Sequence, residues 1–305
     1  MSEPVFQRLA IVGLGLIGSS IARAAAASGV AADVIGYDVS PDVRTKARAL
    51  GIVSAAPGAL SDAVSDADCI VLCVPVGAMT GLCHDMASAL KPGAIVSDVG
   101  SVKTSVASAF TALPKHVHAI PAHPVAGTEQ SGPDAGFATL FQDRWCILTP
   151  RQDTDPLALG KLAAFWQALG ANIEEMTPVH HDLVLAITSH VPHLIAYNIV
   201  GTASDLETVT QSEVIKYSAG GFRDFTRIAA SDPTMWRDVF LNNKDAVLEM
   251  LGRFSEDLTA LQRAIRWGDG DALYSLFNRT RDIRRNIIDA GQETDAADFG
   301  REHGD

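Results

Sequence analysis

The chain has 305 residues, enough for two domains, and its 47% hydrophobic and 20% charged side chains are ordinary for a globular protein. A net charge of −12 argues against nucleic-acid binding, and it means that an anionic ligand needs a local basic pocket. No apolar run is expected to span a membrane, the N-terminus lacks a basic-then-apolar signal, and the four cysteines form no C-x-x-C pair; a cytoplasmic protein with reduced thiols is expected.

Leu9 to Val12 is a short apolar run that predicts a buried parallel strand. It stops at Gly13-Leu14-Gly15-Leu16-Ile17-Gly18, and Ser19 to Ser28 then reads as an alanine-rich helix. Val34 to Tyr37 follows as a second strand closed by Asp38. Each glycine has a task in a dinucleotide site. Gly13 permits the tight turn, Gly15 lets backbone N–H groups approach a pyrophosphate, and Gly18 lets helix and strand pack closely. The helix N-terminus, at Leu16 and Ile17, then faces the phosphates with its partial positive charge. Asp38 lies twenty residues past Gly18, where a carboxylate accepts hydrogen bonds from a ribose 2′-OH and repels a 2′-phosphate, so NAD is expected over NADP.

Ser40-Pro41 predicts an N-cap and a first-turn proline for a helix reaching about Leu50. Asp68 to Val74 predicts the next strand, ending at Pro75, and places Val74 and Pro75 beside the cofactor. A helix from Ala78 to Leu90 and strands at 94–98 and 117–121 continue the alternation, which predicts a Rossmann-type, doubly wound parallel sheet. Strand-like runs at 145–149 and 172–176, around a helix at 156–169, are expected to extend that sheet. Pro178 is the expected boundary between an NAD-binding domain, 1–178, and an all-α domain, 179–290. Within the second, 179–203 predicts an apolar helix broken or kinked at Pro192, and Asp232-Pro233 caps another. Val247, Met250, Leu251, Phe254, Leu258, Leu261 and Ile265 recur at helical spacing over some thirty residues, a stripe expected to be buried between two chains. The tail, 291–305, is polar and acidic and is expected to be disordered.

Ligands in such sheets bind beyond the carboxyl ends of the strands, where Ser101, Lys103 and His123 fall. A neutral His123 can take a proton from a substrate hydroxyl; the alternative is a histidine satisfied by a backbone carbonyl. Ser101 and Lys103 either bind substrate or nicotinamide, or merely cap the helix that begins near Val102. His190 and His193, three apart, can share a helix face, but zinc wants three or four ligands and no acid completes a motif, so no metal is expected. In Gly220 to Arg227 two glycines are expected to break the helix. Arg223 and Arg227 flank Asp224, with Phe222 and Phe225 expected to shield the guanidinium groups. Arginine suits bidentate capture of a carboxylate; the other reading is a surface loop with internal ion pairs.

Together the Gly13–Gly18 turn, Asp98 to Lys103, His123 to Glu129, Ser189 to His193, and Gly220 to Trp236 resemble the prephenate/arogenate dehydrogenase family of tyrosine biosynthesis. The resemblance runs from about Arg8 to about Ile288, and its Gly220–Trp236 motif is the most specific part. It implies oxidation of C4 of a cyclohexadienyl ring, hydride transfer to NAD and loss of the ring carboxylate. It implies that His123 takes the C4 hydroxyl proton and that Ser101 supports that histidine and the nicotinamide. Arg227 would hold a substrate carboxylate with His193 near the side chain, and Thr128, Glu129 and Asp224 match pocket positions. Arg223, assigned to the same pocket, stands where some relatives carry lysine. No chorismate mutase segment is expected before residue 8 and no ACT-like domain after the helices, so tyrosine feedback would act at the active site. A homodimer through the helices is expected. The rival readings are a β-hydroxyacid-type dehydrogenase and a non-catalytic NAD-sensing protein.

Overall fold

The computed structural model describes residues 3–128, 130–210 and 220–289. The chain divides after Leu248 into two compact units. The first begins with β1 (Phe6–Val12), α1 (Leu16–Ser28), β2 (Ala31–Tyr37), α2 (Pro41–Ala49), α3 (Leu60–Val64), β3 (Cys69–Leu72), α4 (Met79–Met86), β4 (Ile95–Asp98), α5 (Thr104–Ala109) and β5 (His118–Ala119). The five strands form one parallel sheet in the order β2-β1-β3-β4-β5. This is the expected Rossmann-type architecture.

The strands read as continuous apolar runs because both faces of the sheet are covered. Leu9 and Ile11 point into one core cluster with Ile21 and Ala25 of α1. Ala10 and Val12 point into the other, with Met79 of α4 and Val106 of α5. The register pairs Val12 with Tyr37, Val12 with Leu72, and Leu72 with Asp98, so these strand ends lie level. Gly13, Asp38 and Cys73 therefore emerge together where the strand order reverses, which is the ligand edge of such a sheet. The cap of α2 is as expected, with Ser40 Oγ accepting from the Val43 N–H at 3.4 Å and Pro41 in the first turn.

The later strands depart from expectation. β6 (Ala122–Pro124), β7 (Trp145–Leu148) and β8 (Asn172–Glu175) form a separate three-stranded sheet, β6 antiparallel to β7 and β7 parallel to β8. The parallel ladder ends where the Ile120 N–H donates to Val96 O at 2.9 Å; the next donor in its register, the Ala122 N–H, goes to the Asp98 side chain instead of a backbone carbonyl. His123 thus sits in a strand rather than in a loop after one. The second sheet shares the first core cluster through Cys146, Leu148 and, from α6 (Pro156–Ala168), Phe165 and Trp166.

α7 (Pro178–Leu185) starts on Thr177, whose side chain accepts from the His180 N–H, and gives way to a π-helical turn at Ala186–His190 before α8 (Val191–Thr210). The expected break is that wide turn just before Pro192, which admits a ring that a regular helix would crowd. Contrary to expectation, Pro178–Asp205 is long and apolar enough to cross a membrane by length and composition. Its polarity is carried by histidines, and His181, Asp182 and His190 are buried in the protein's own hydrogen bonds. α9 (Gly220–Thr226) and a 3₁₀ turn at Arg227–Ala230 precede α10 (Pro233–Asn242), capped by Asp232 as expected. Trp236 and Val239 fix α10 to the second core cluster of the sheet.

α11 (Lys244–Trp267) has 24 residues, shorter than the thirty expected, and α12 (Gly270–Asp289) follows. Val247 and Met250 are already buried within the single chain, so the exposed part of the stripe begins later. It includes Leu258, Ile265 and Trp267, with Tyr274, Phe277 and Ile283 on α12. The expected tail disorder lies outside the described residues.

Candidate active site

The glycine turn has the shape its sequence requires. Gly13 has φ +99°, and a Cβ there would run into the Cys73 carbonyl; a Cβ on Gly18 would collide with the Gly13 carbonyl. Gly15 faces open space, so the N-terminus of α1, at Leu16 and Ile17, is left accessible. Asp38 Oδ2 accepts from the Leu14 N–H at 3.0 Å and Oδ1 from the Ser40 N–H at 2.9 Å. The carboxylate thereby ties the glycine turn to the end of β2, and its remaining lone pairs stay available for ribose hydroxyls. Val74 and Pro75 continue from β3 on the same edge. These features fit a dinucleotide.

On the neighbouring edge His123 is almost fully buried, at 6% exposure. Its Nδ1 lies 2.8 Å from His181 Nε2, and His181 Nδ1 lies 2.8 Å from Asp182 Oδ1. Asp182 also accepts from the backbone N–H groups of Lys103, at 2.7 Å, and Thr104, at 2.9 Å. The order of these contacts fixes the protons. Asp182 accepts a hydrogen bond from His181 Nδ1–H, so His181 Nε2 accepts from His123 Nδ1–H, and His123 Nε2 carries a lone pair. Burial, then the proximity of His181 and Lys103, holds His123 well below the ordinary histidine range. Burial lowers His181 too, although its bond to Asp182 works the other way. Burial tends to raise Asp182, but the hydrogen bonds from His181, Lys103 and Thr104 outweigh it and keep the carboxylate ionised. The arrangement makes His123 a neutral, oriented proton acceptor.

Sequence reasoning missed His181 and Asp182, which stand 58 and 59 positions from His123. Two adjacent polar residues after a Thr-Pro helix start were the signal available. Lys103 neither binds at the surface nor caps a helix through its side chain; it is fully buried, and α5 begins at Thr104. Ser101, half-buried, lies on the loop between β4 and α5.

His190 and His193 take separate partners. His190 Nδ1 faces Asn243 Nδ2 at 3.0 Å, and Asn243 also donates to the Asp182 carbonyl at 2.9 Å. His193 stacks on Trp236, with ring centroids 3.7 Å apart, and its Nδ1 donates to Ser189 O at 2.8 Å. Burial lowers His193, and the Arg227 guanidinium nearby pushes the same way, so the structure brings these two together. Gly220 and Gly221 both lie in α9, and the helix they were expected to break falls outside the described residues. The phenylalanines do not shield the arginines: Phe225 is 43% exposed, and Arg223 and Arg227 are exposed, because a helix turns its 222–227 side chains to several sides. Thr128 is exposed and its Oγ1 accepts from the Gln130 N–H at 3.2 Å, while Asp224 is half-buried on α9. Glu129 lies outside the described residues.

A Rossmann sheet with a phosphate-shaped glycine turn, a ribose acid and a buried neutral histidine beside it defines a nicotinamide-dependent dehydrogenase. Two family models match the chain: the prephenate dehydrogenase nucleotide-binding domain over residues 21–175, and the prephenate dehydrogenase dimerization domain over residues 177–279. The chain belongs to the prephenate dehydrogenase family. It is 47% identical to a cyclohexadienyl dehydrogenase of Zymomonas mobilis over 92% of this chain and 96% of the relative. It is 33% identical to a prephenate dehydrogenase of Bacillus subtilis over 91% of this chain and 75% of that one. A crystal structure of prephenate dehydrogenase from Aquifex aeolicus in complex with hydroxyphenyl propionate and NAD+ superposes with a TM-score of 0.86 at 34% identity, covering 92% of this chain and 98% of that chain. The chain is an NAD-dependent oxidoreductase of this family, acting on a small-molecule substrate.

Proposed function

We propose that the protein oxidises the C4 hydroxyl of prephenate, arogenate or both, with loss of the ring carboxylate, giving 4-hydroxyphenylpyruvate or tyrosine. The observation that carries this reading is the neutral His123, oriented by His181 and Asp182. Bound NAD supplies the hydride acceptor, held by the Gly13–Gly18 turn, Asp38, Val74 and Pro75. His123 Nε2 takes the hydroxyl proton as hydride leaves C4, and Ser101 supports the histidine and the nicotinamide end. The product dienone carries its carboxylate as a vinylogous β-keto acid. Loss of CO₂ from it yields a phenol, a step driven by aromatisation that asks little of the protein. Arg227 grips a substrate carboxylate, with His193 braced on Trp236 beside it, and Arg223, Asp224, Thr128 and Glu129 complete the pocket. Positioning and proton removal are therefore the protein's contribution. Initial rates with prephenate and arogenate, each with NAD and NADP, test the assignment; no NADH formed from either substrate would refute it.

The active form is a homodimer in the cytoplasm, with Pro178 dividing the nucleotide-binding part from the helical part. The family model named for dimerization covers the helices as far as residue 279, and exposed Leu258, Ile265, Trp267 and Phe277 within it, with Ile283 just beyond, form the apolar surface a second copy would cover. Four free cysteines agree with a reducing compartment. Light scattering at micromolar concentration should return a dimer mass, and a strict monomer would overturn the assembly.

A further inference from the structure

The ion pair between Lys103 and Asp98 is fully buried, both side chains at 0% exposure. It sits where the parallel sheet runs out. Past Pro121 the main chain leaves β4, and the peptide groups of Ala122 no longer meet a backbone partner on that strand. They meet side chains instead: Asp98 Oδ1 accepts from the Ala122 N–H at 3.1 Å, and Lys103 Nζ donates to the Ala122 carbonyl at 2.7 Å. Asp98 Oδ2 is held in turn by the Gly100 N–H at 2.8 Å and by the Lys103 ammonium. The Lys103 backbone N–H donates to Asp182. One residue thus touches both ends of the histidine chain, the strand that carries His123 and the carboxylate that orients His181.

We propose that Lys103 is a positioning residue for the dehydrogenase reaction: with Asp98 it replaces the missing sheet ladder at Ala122, and its charge keeps the adjacent His123 in the proton-accepting form. The inference rests on His123 as the base.

The electrostatic surroundings of His123 agree. Lys103 faces it from the loop before α5, His181 and Asp182 from α7, His190 from the π-helical turn, Asp98 from the end of β4, and the Cys146 thiol from β7. Paired with Asp98, the Lys103 ammonium disfavours a positive charge on the imidazole. Burial pulls Lys103 down and Asp98 up, and the other's charge and hydrogen bond counter each shift only in part. A buried cation is costly unless it is paired, so a purely apolar side chain would serve better if filling space were the only task.

The test compares Lys103→Met, the neutral pair Asp98→Asn/Lys103→Met, and Lys103→Arg with the wild-type enzyme. The double variant removes both charges together and leaves no lone buried ion, which guards against a variant that fails to fold. Two readouts are needed: the acid limb of kcat/KM, and the NMR titration of the His123 ring proton, assigned by its loss in His123→Asn. Removing the cation should move both midpoints up by about one pH unit or more. It should also lower kcat roughly 10²-fold as the strand shifts, with the KM for NAD little changed. Lys103→Arg should keep the midpoints near wild type and lose kcat through size alone. Unmoved midpoints in both neutral variants would overturn the proposal. If instead the ring titration moves while the acid limb stays, or His123→Asn retains the limb, then the assignment of His123 as base has failed, not the electrostatic role of Lys103.

Discussion

His123 Nδ1 sits 2.8 Å from His181 Nε2, and the Asp182 carboxylate sits 2.8 Å behind His181. The carboxylate decides which nitrogen of His181 is protonated, and so which nitrogen of His123 is protonated. Asp182→Asn can present an N–H to His181 and reverse the chain, leaving His123 Nε2 protonated and unable to accept. Expected is a fall in kcat of roughly 10²-fold or more, with a smaller change in the KM for prephenate. Steady-state kinetics beside a circular dichroism spectrum check this. Near wild-type kcat in a folded Asp182→Asn protein would remove the orienting role.

Binding and proton transfer should separate cleanly between Arg227 and His123. Losing a charge-assisted carboxylate contact costs on the order of 2–5 kcal/mol where the partner charge is buried. Arg227 is exposed in the chain alone, which points to the lower end, so Arg227→Ala should raise the KM for prephenate by roughly tenfold to a hundredfold. NAD affinity should hold. His123→Asn keeps a hydrogen-bonding group and loses the base, so kcat should drop by about 10²–10⁴-fold. Because His123 is held well below the usual histidine value, the wild-type acid limb should lie well under pH 6.5, and the Asn variant should lack it. A His123→Asn enzyme that turns over normally would make this histidine structural.

How far the sequence reached is decided by range along the chain. The glycine turn and Asp38 were legible because most of their partners are local: Gly18 packs on the Gly13 carbonyl and Asp38 holds the Leu14 N–H within one βαβ unit, although the Cys73 carbonyl that confines Gly13 follows β3. The same holds for the caps at Ser40 and Asp232. The orienting chain was not legible, because His181 meets His123 across 58 positions and only folding puts α7 against β6. The second sheet was misread because its central strand, β7, has the same apolar pattern as the strands of the first. A pattern of burial reports that a strand is covered, not which ladder it joins. Pro121 stands at the switch, but a single proline between two short runs reads equally well as the end of a strand.

Asp38 should have two effects when removed, since its carboxylate holds Leu14 and Ser40 as well as facing the cofactor edge. Asp38→Ala should weaken NAD binding and shift preference toward NADP as repulsion of a 2′-phosphate is lost. It should also lower thermal stability modestly, because two backbone donors lose a charged acceptor, each such bond being worth about 1.5–3 kcal/mol at most. Isothermal titration with both cofactors and a melting curve separate the two effects. A wild-type enzyme that already uses NADP as readily as NAD would show that Asp38 is only a structural tie.

The buried histidines should make the fold sensitive to mild acid. His181 and His190 have no exposed surface, and His190 is pulled from 6.5 down to about 4, chiefly by burial. Its neutral ring faces Asn243 and packs against Trp236, where a charge would be poorly solvated. A group whose folded value is depressed binds a proton more readily once unfolded. Its contribution to stability is therefore complete above the unfolded value of 6.5 and is lost as pH falls toward about 4. Within that window each such histidine adds about 1.4 kcal/mol of destabilisation per pH unit. Melting temperature should be flat above about pH 7 and fall steeply below about pH 6, before ordinary surface carboxylates near ~4 begin to titrate. His190→Gln retains a side chain able to meet Asn243 and removes one titrating ring, so its melting curve should be shallower in pH over the same range. Parallel slopes for His190→Gln and wild type would mean that His190 is protonated in the folded enzyme, against its burial.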